Sequence, residues 1–360
     1  MSQEIGVILL GYGLAGKVFH GPLIKATDGL RIDAVVTNNA ERIEQVRQDF
    51  PRAKIYPTTD AALSECTDSS VVVVANANRA HVTDATKAMD SGRHVVVDKP
   101  LAGSEAEALL LAKTASTRGV QLHTFQNRRW DSDFLTLLSF KETGELGTLH
   151  RFESRFERLR TIPKGNWREL AAPEELGGVL LDFGAHLVDQ ALELLGPVTC
   201  VDAYARSIRQ SDGADDDMQI ILTHANGAVS LLIGSQVSAF PDPRFMLLGS
   251  HGAIRIAQGD SQESLLRAGA IPNAGDWGTE TITAEVSIGH ADGTMSSRHL
   301  PLSRGLWPDF YAAVRDSILH NAPAPVPLND VIANLRVLDA ARTSASTSQR
   351  VHLDSAASHE

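Results

Sequence analysis

Three side chains in this sequence have settings suited to moving a proton. Lys99 follows a run of three valines in "VVVDKP", Val95 to Pro100, where an apolar strand runs out. Pro100 fixes its own φ and biases the preceding residue toward an extended backbone, so the lysine backbone is stiffly posed. A lysine there is either ordinary surface charge or a catalytic amine at the carboxyl end of a parallel strand. Asp182 and His186 lie in "DFGAHLVDQAL", spaced i, i+4, with Asp189 at i+7, on one helical face. A carboxylate orients an imidazole and supports its charged form, and histidine titrates where a general acid or base must. Val188, Ala191, Leu192 and Leu195 are expected to line the buried side, and Gly196-Pro197 to end the helix. The spacing is not that of a zinc site and no metal is expected.

These residues need a scaffold. Apolar runs recur at Ile5–Leu10, Ile32–Val36, Val71–Val74, His94–Val97 and Val120–Leu122, with helical composition between them. Continuous Val/Ile runs mark strands buried on both faces, and their alternation with helices reads as βαβ units of a doubly wound parallel sheet. The first βα turn is "GYGLAG": Gly11, Gly13 and Gly16 in GxGxxG spacing after a strand and before a helix over Lys17–Thr27. That context assigns a dinucleotide pyrophosphate to the loop, Tyr12, Leu14 and Ala15 completing it. Past the second strand stand Thr37, Asn38 and Asn39, with Arg42 beyond; Asp33 comes too early and Glu41 too late to hold a ribose 2′-hydroxyl. Small polar residues and an arginine favour the 2′-phosphate of NADP, with NAD as the alternative. Ligands bind beyond the carboxyl ends of such strands. Lys99 shares that edge with "ANANRAH" (Asn76, Ala77, Asn78, His81) and "FQNRRWD" (Gln126 to Asp131). Asp98 is either the lysine's electrostatic partner or turns into the helix behind.

From about Arg151 the runs alternate (Leu149–Phe156, Val198–Arg206, Met218–Thr223, Ala228–Val237, Arg244–Leu248), as strands of a mostly antiparallel sheet with one packed face do. The expected division is 1–125, a Rossmann domain, and 126–360, an α/β domain with a large open sheet. The acidic run Asp212–Met218 reads as a solvated hairpin loop, and the residues after Leu353 as a frayed end. With 360 residues, 43% hydrophobic and 21% charged, the composition is that of a globular protein large enough for two cores. A net charge of -11 speaks against nucleic acid, and no apolar run reaches membrane-spanning length. Cys66 and Cys200 form no disulfide framework, and the N-terminus shows no leader, so the expected location is the cytoplasm.

The stretches GYGLAGKVFHGPLI, VVVDKP, QNRRWDSDFLTL, NWRE and DFGAHLVDQAL together resemble the glucose–fructose oxidoreductase/inositol dehydrogenase (Gfo/Idh/MocA) family, in order and at family spacing over residues 4–350. Within it they look most like NADP-dependent scyllo-inositol dehydrogenases. The resemblance implies hydride transfer between a nicotinamide and a secondary alcohol of a polyol or sugar. It matches Lys99, Asp182 and His186 to the family's catalytic residues, and sets Asn76 and Asn78 at the cofactor ribose and Trp167 and Arg168 near the cofactor. Asn127, Arg128 and Trp130 are the further substrate candidates, with Asp131 and Trp167 as pocket walls; Arg129 and Asp133 read as structural pairs. The resemblance also implies a homodimer or homotetramer built on the second domain's sheet, and a final helix, about 331–344, packed on the first domain. Asp98 replaces the usual glutamate, Ala77 a common proline, and Gln126 a frequent histidine. Two competing readings are a reductase of a phosphorylated or nucleotide-linked keto sugar, which calls for a second basic cluster, and a cofactor-binding regulator that has lost the catalytic groups.

Overall fold

The computed structural model describes residues 4–163, 165, 167–169, 175–210, 212–240 and 243–354. The chain forms two compact units, one of residues 1–127, 262–277 and 306–332, the other of 128–261, 278–305 and 333–360. The division is interleaved: two later segments, 262–277 and 306–332, belong to the first unit.

The first unit is built on six parallel strands: β1 Ile5–Leu10, β2 Leu30–Val36, β3 Lys54–Tyr56, β4 Ser69–Val74, β5 His94–Asp98 and β6 Leu122–Phe125. Their order is β3-β2-β1-β4-β5-β6, the doubly wound arrangement expected. The direction of winding reverses between β1 and β4, so ligands are taken at the carboxyl ends there. Every residue of β1 is buried, as a strand covered on both faces requires. Helices Ala40–Asp49, Thr59–Glu65 and Glu105–Arg118 each start on a side-chain cap, from Asn39, Thr58 and Ser104 respectively.

Two elements differ from expectation. β6 begins later than Val120, because Gly119 adopts a left-handed conformation and the Val120 N–H bonds back to the Ala115 carbonyl. Val120 thus closes a helix instead of opening a strand. The helix after the glycine loop starts at Ala15, as a wide turn over Ala15–His20 that continues as Gly21–Lys25.

The second unit holds nine strands: β7 Leu149–Glu157, β8 Val198–Arg206, β9 Asp217–His224, β10 Val229–Ser235, β11 Phe245–Gly249, β12 Gly252–Ile256, β13 Thr283–Gly289, β14 Met295–Pro301 and β15 Val351–His352. They stand in the order β14-β13-β12-β11-β7-β10-β9-β8-β15, and among the described residues only β7 and β10 pair in parallel. Met218, Ile220, Leu222 and His224 of β9 alternate inward, and the helix Gly184–Leu195 covers that face at β7 and β10. The helix Leu328–Thr347 lies chiefly in this unit. Its Asn334 side chain donates to the Ala185 carbonyl at 2.9 Å, and Ser344 Oγ accepts the Ala203 N–H at 2.9 Å. These polar bonds hold the helix within the second unit from Ala333 onward, and the helix Trp307–His320 belongs to the first unit. Among the described residues, no helix is long and apolar enough to cross a membrane.

Candidate functional site

The glycine loop leaves β1 with Gly11 at φ +97°, a conformation other residues avoid. A Cβ on Gly16 would collide with the Gly11 carbonyl, so the third glycine lets the following helix close on the loop. Gly13 is open by contrast. The nearest atoms to a Cβ there belong to the Arg42 guanidinium, 3.9 Å away. An anion approaching the Gly13 backbone would therefore meet a cation beside it. Tyr12 turns away from the loop, its hydroxyl donating to Asp49 Oδ2 at 2.6 Å, so Tyr12, like Leu14 and Ala15, contributes backbone.

At the end of β2 the carboxylates are committed elsewhere. Asp33 binds Arg31 and the Ser69 hydroxyl, at 2.6 and 2.9 Å, and Glu41 accepts from Gln45. Thr37 is buried, Asn38 exposed, and Asn39 caps the helix by accepting the Arg42 N–H. At the end of β4, Asn76 donates to Asp84 at 2.6 Å, while its buried Oδ1 has no partner. A buried acceptor left so is costly unless a ligand hydroxyl supplies the bond. The glycine cradle and this orphaned oxygen fit a bound dinucleotide. Ala77 opens the short turn Asn78–Ala80, in which Asn78 is buried.

Lys99 stands just past β5, at the same carboxyl edge, and the Lys99–Pro100 peptide is cis. Asp98 is buried: its Oδ1 accepts the Lys99 N–H at 2.9 Å and lies 3.8 Å from His20 Nε2. His81 is fully buried with Nδ1 2.8 Å from the Pro100 carbonyl, so it braces the lysine segment from within. Gln126 and Asn127 follow β6 and are both buried.

Asp182 and His186 belong to the second unit. Asp182 ends the helical turn Val179–Asp182; the chain breaks at Phe183 and resumes as Gly184–Leu195, carrying His186. The expected one-sided stripe is absent, because this helix is buried on nearly every face, Leu192 and Glu193 excepted. Asp189 takes a double bond from Arg129, at 2.9 and 2.8 Å. Arg129 and Asp133 make the structural pairs expected of them, Asp133 lying 3.5 Å from Arg244. Arg128 pairs with Asp131 at 3.2 Å and stacks 4.7 Å from the Phe156 ring, whose edge meets His186. Trp130 closes the turn Asn127–Trp130 and is partly exposed. Trp167 and Arg168 lie in the short turn Trp167–Glu169, and the Arg168 side chain falls outside the described residues.

Sequence reasoning missed two supports. Buried Arg244 stacks 3.9 Å from Phe156, on the ring that also carries Arg128, and bonds Gln190 one turn beyond His186 at 3.1 Å. The acidic run expected to be a solvated loop is instead a clamp. Asp216 takes the Ile208 and Arg209 N–H groups, and Asp215 accepts the Leu180 N–H at 2.6 Å, at the start of the turn carrying Asp182. Gly178 stands there at φ +89°, a conformation that other residues avoid. Neither was visible because the partners lie far apart in sequence.

Burial pushes the Asp215 carboxyl up to about 6, and the N–H groups of Leu180 and Val179 offset this only in part. A raised acid stabilises the fold fully below the ordinary carboxylate value and loses that contribution as pH rises through about 6. Asp215→Asn removes the titration. Its stability relative to the parent is expected to improve by ~2 kcal/mol between about pH 4 and about pH 7. Urea melts of both proteins at each pH measure this; a difference independent of pH would contradict it.

Comparison with known proteins agrees with both units. Residues 5–126 match the oxidoreductase family model with an NAD-binding Rossmann fold, and residues 134–255 the GFO/IDH/MocA C-terminal domain. The chain is 29% identical to scyllo-inositol 2-dehydrogenase (NADP(+)) IolW of Bacillus subtilis, covering 98% of this chain and 97% of that one. It is 32% identical to the uncharacterized oxidoreductase YdgJ of Escherichia coli, over 94% and 96% of the two chains. The structure of the oxidoreductase yvaA from Bacillus subtilis superposes with a TM-score of 0.92 at 28% identity, covering 98% and 99%. With a dinucleotide cradle on a doubly wound sheet in one unit, an open, mostly antiparallel sheet in the other, and relatives matched over almost its whole length, the chain belongs to the Gfo/Idh/MocA family of nicotinamide-dependent oxidoreductases.

Proposed function

We propose that this enzyme interconverts a secondary alcohol and a ketone on a cyclic polyol or sugar, with NADP as the preferred cofactor and scyllo-inositol as the first substrate to try. The observation that carries the cofactor choice is Arg42 beside the open Gly13, with the carboxylates near the end of β2 engaged elsewhere. The substrate class rests on the similarity to a scyllo-inositol dehydrogenase.

In this reading Gly11 to Gly16 hold the pyrophosphate, Thr37, Asn38 and Arg42 the adenosine side, and Asn76, Ala77 and Asn78 the ribose. Trp167, Arg168 and Gln126 complete the cofactor site. Hydride chemistry is supplied by a bound nicotinamide. The chain's own task is the proton. Lys99 and His186 take it from the hydroxyl or return it, with Asp182 orienting the imidazole. Asn127, Arg128 and Trp130 offer the paired donors and the flat wall a polyol needs. The second unit's sheet joins copies into a homodimer or homotetramer, working in the cytoplasm.

A panel of inositols and sugars with NAD or NADP, followed by absorbance of the reduced cofactor, tests this reading. Turnover with an inositol and NADP is expected, and Arg42→Ala should lower the preference for NADP over NAD by about tenfold or more. Inertness toward every polyol, together with oxidation of NADPH by a phosphorylated keto sugar, would overturn it.

A further inference from the structure

Phe156 stands where three functional segments of the second unit meet. It follows Phe152 and Ser154 in the inward row of β7 and is half-buried. The Arg128 guanidinium lies 4.7 Å from its ring centre and the Arg244 guanidinium 3.9 Å. The His186 ring meets it edge-to-face, 6.3 Å between centroids at 82°. One aromatic ring therefore touches both a candidate proton handler and a candidate substrate ligand.

The ring is itself held. Arg244 is 4% exposed, and its guanidinium donates to Ser154 Oγ at 2.7 Å and to the Arg155 carbonyl at 3.2 Å, both on β7. It also donates to Gln190 Oε1 at 3.1 Å. Gln190 is fully buried, one turn along the helix from His186, and its Nε2 donates to the Arg128 carbonyl at 3.2 Å. The contacts thus close a circuit, from Arg128 through Phe156, Arg244 and Gln190 back to Arg128, with His186 on the shared ring. Burial lowers Arg244 to about 10 and the charges of Asp133 and Asp131 oppose the fall, so it remains a cation at neutral pH. Packing alone does not call for a buried cation, which a neutral side chain of similar bulk could replace. What the guanidinium adds is direction, a flat group on the ring whose N–H groups reach two elements at once.

We infer that Phe156 and Arg244 are positioning residues: Phe156 sets the Arg128 guanidinium and the His186 imidazole relative to each other, and Arg244, with Gln190, keeps Phe156 in place. The inference rests on reading His186 as a proton handler and Arg128 as a substrate ligand. Phe156→Leu keeps an apolar side chain and removes the ring. Arg244→Lys keeps a charge near Asp133 and removes the flat group.

The test is steady-state turnover of scyllo-inositol with NADP by the full chain, well below each variant's melting temperature. Phe156→Leu is expected to lower kcat by about 10- to 100-fold and to raise the polyol KM by about tenfold, the cost of slightly misplaced reacting groups. Its NADPH affinity should stay within about twofold, because the phosphates are held in the first unit. Phe156→Tyr keeps the ring and should remain within about threefold of the parent in both constants. Arg244→Lys should lower kcat as Phe156→Leu does, and the double variant should be no slower than Phe156→Leu alone, since both act through one ring. If Arg244→Lys does not fold, the pair at Phe156 carries the test. A Phe156→Leu enzyme like the parent, or a Phe156→Tyr enzyme as impaired as Phe156→Leu, overturns the inference; losses that multiply in the double variant overturn the part given to Arg244. His186→Ala separates the layers: full activity there overturns the proton-handling reading and this inference with it, as does a parent inert toward every polyol and sugar. An inactive His186→Ala beside an unimpaired Phe156→Leu overturns the inference alone.

Discussion

Lys99→Ala is expected to lower kcat for alcohol oxidation by about 10²- to 10⁴-fold, the range that a positioned proton-transfer group supplies. The expectation comes from placement. The residue ends a buried valine strand at the carboxyl edge of the sheet, beside the strand whose end carries Asn76. Its backbone is fixed on one side by Asp98 and on the other by His81 through Pro100. A surface lysine has no such bracing, and replacing one changes little. Cofactor affinity, measured by fluorescence of bound NADPH, should weaken by no more than about tenfold, because the phosphates are held elsewhere, at the loop and helix end. Equal losses in affinity and in rate would instead make Lys99 a cofactor ligand without a part in the chemistry.

Gly16→Ala should destabilise the first unit by about 1–3 kcal/mol, the usual cost of forcing atoms into a packed site. Dinucleotide affinity should fall by about 100-fold, since the cradle must deform before it can bind. The new methyl meets backbone, the Gly11 carbonyl, which no rotamer change can clear. Gly11 in turn is tied to β2 through the Val36 carbonyl at 3.0 Å, so the loop cannot retreat without loosening the strand ends. Gly13→Ala is the matched control, because its Cβ enters open space 3.9 Å from Arg42. It should leave stability within about 0.5 kcal/mol of the parent and still weaken NADP binding, the methyl standing where pyrophosphate approaches. Isothermal titration with NADP and urea melts separate the two variants; equal stability for both would mean that the loop is softer than its contacts indicate.

What could be read in the sequence was whatever local pattern dictates. The valine runs, the glycine spacing and the alternation of β9 each express a geometric rule within a few residues. The bracing of the site was not legible. His20 looks like one more residue of a helix until Tyr311 arrives beside it, 291 positions later. Asp215 and Asp216 sit in an acidic run whose composition says solvent, yet backbone N–H groups draw both inward. Arg244 was read as the start of a strand, while the Phe156, Gln190 and Asp133 that enclose it come from three other segments. β13 and β14 went unread because their outward residues are polar and few of their side chains are buried. Pattern reveals which face of an element is apolar; it does not reveal which polar group will find a partner across the fold.

The interleaved make-up of the first unit has a consequence for how the chain is made. A ribosome delivers β1 to β6 long before residues 306–332, so the nascent sheet must wait through the synthesis of most of the second unit. Until then Phe19 lacks Trp307, Phe125 lacks Phe310, and His20 lacks Tyr311. Contacts of such long separation raise the entropic cost of closure and slow folding. The waiting intermediate exposes aromatic surface, the usual substrate of chaperones. A premature stop codon before residue 306 would thus injure first the nucleotide-binding half, although that half is encoded almost entirely upstream of it.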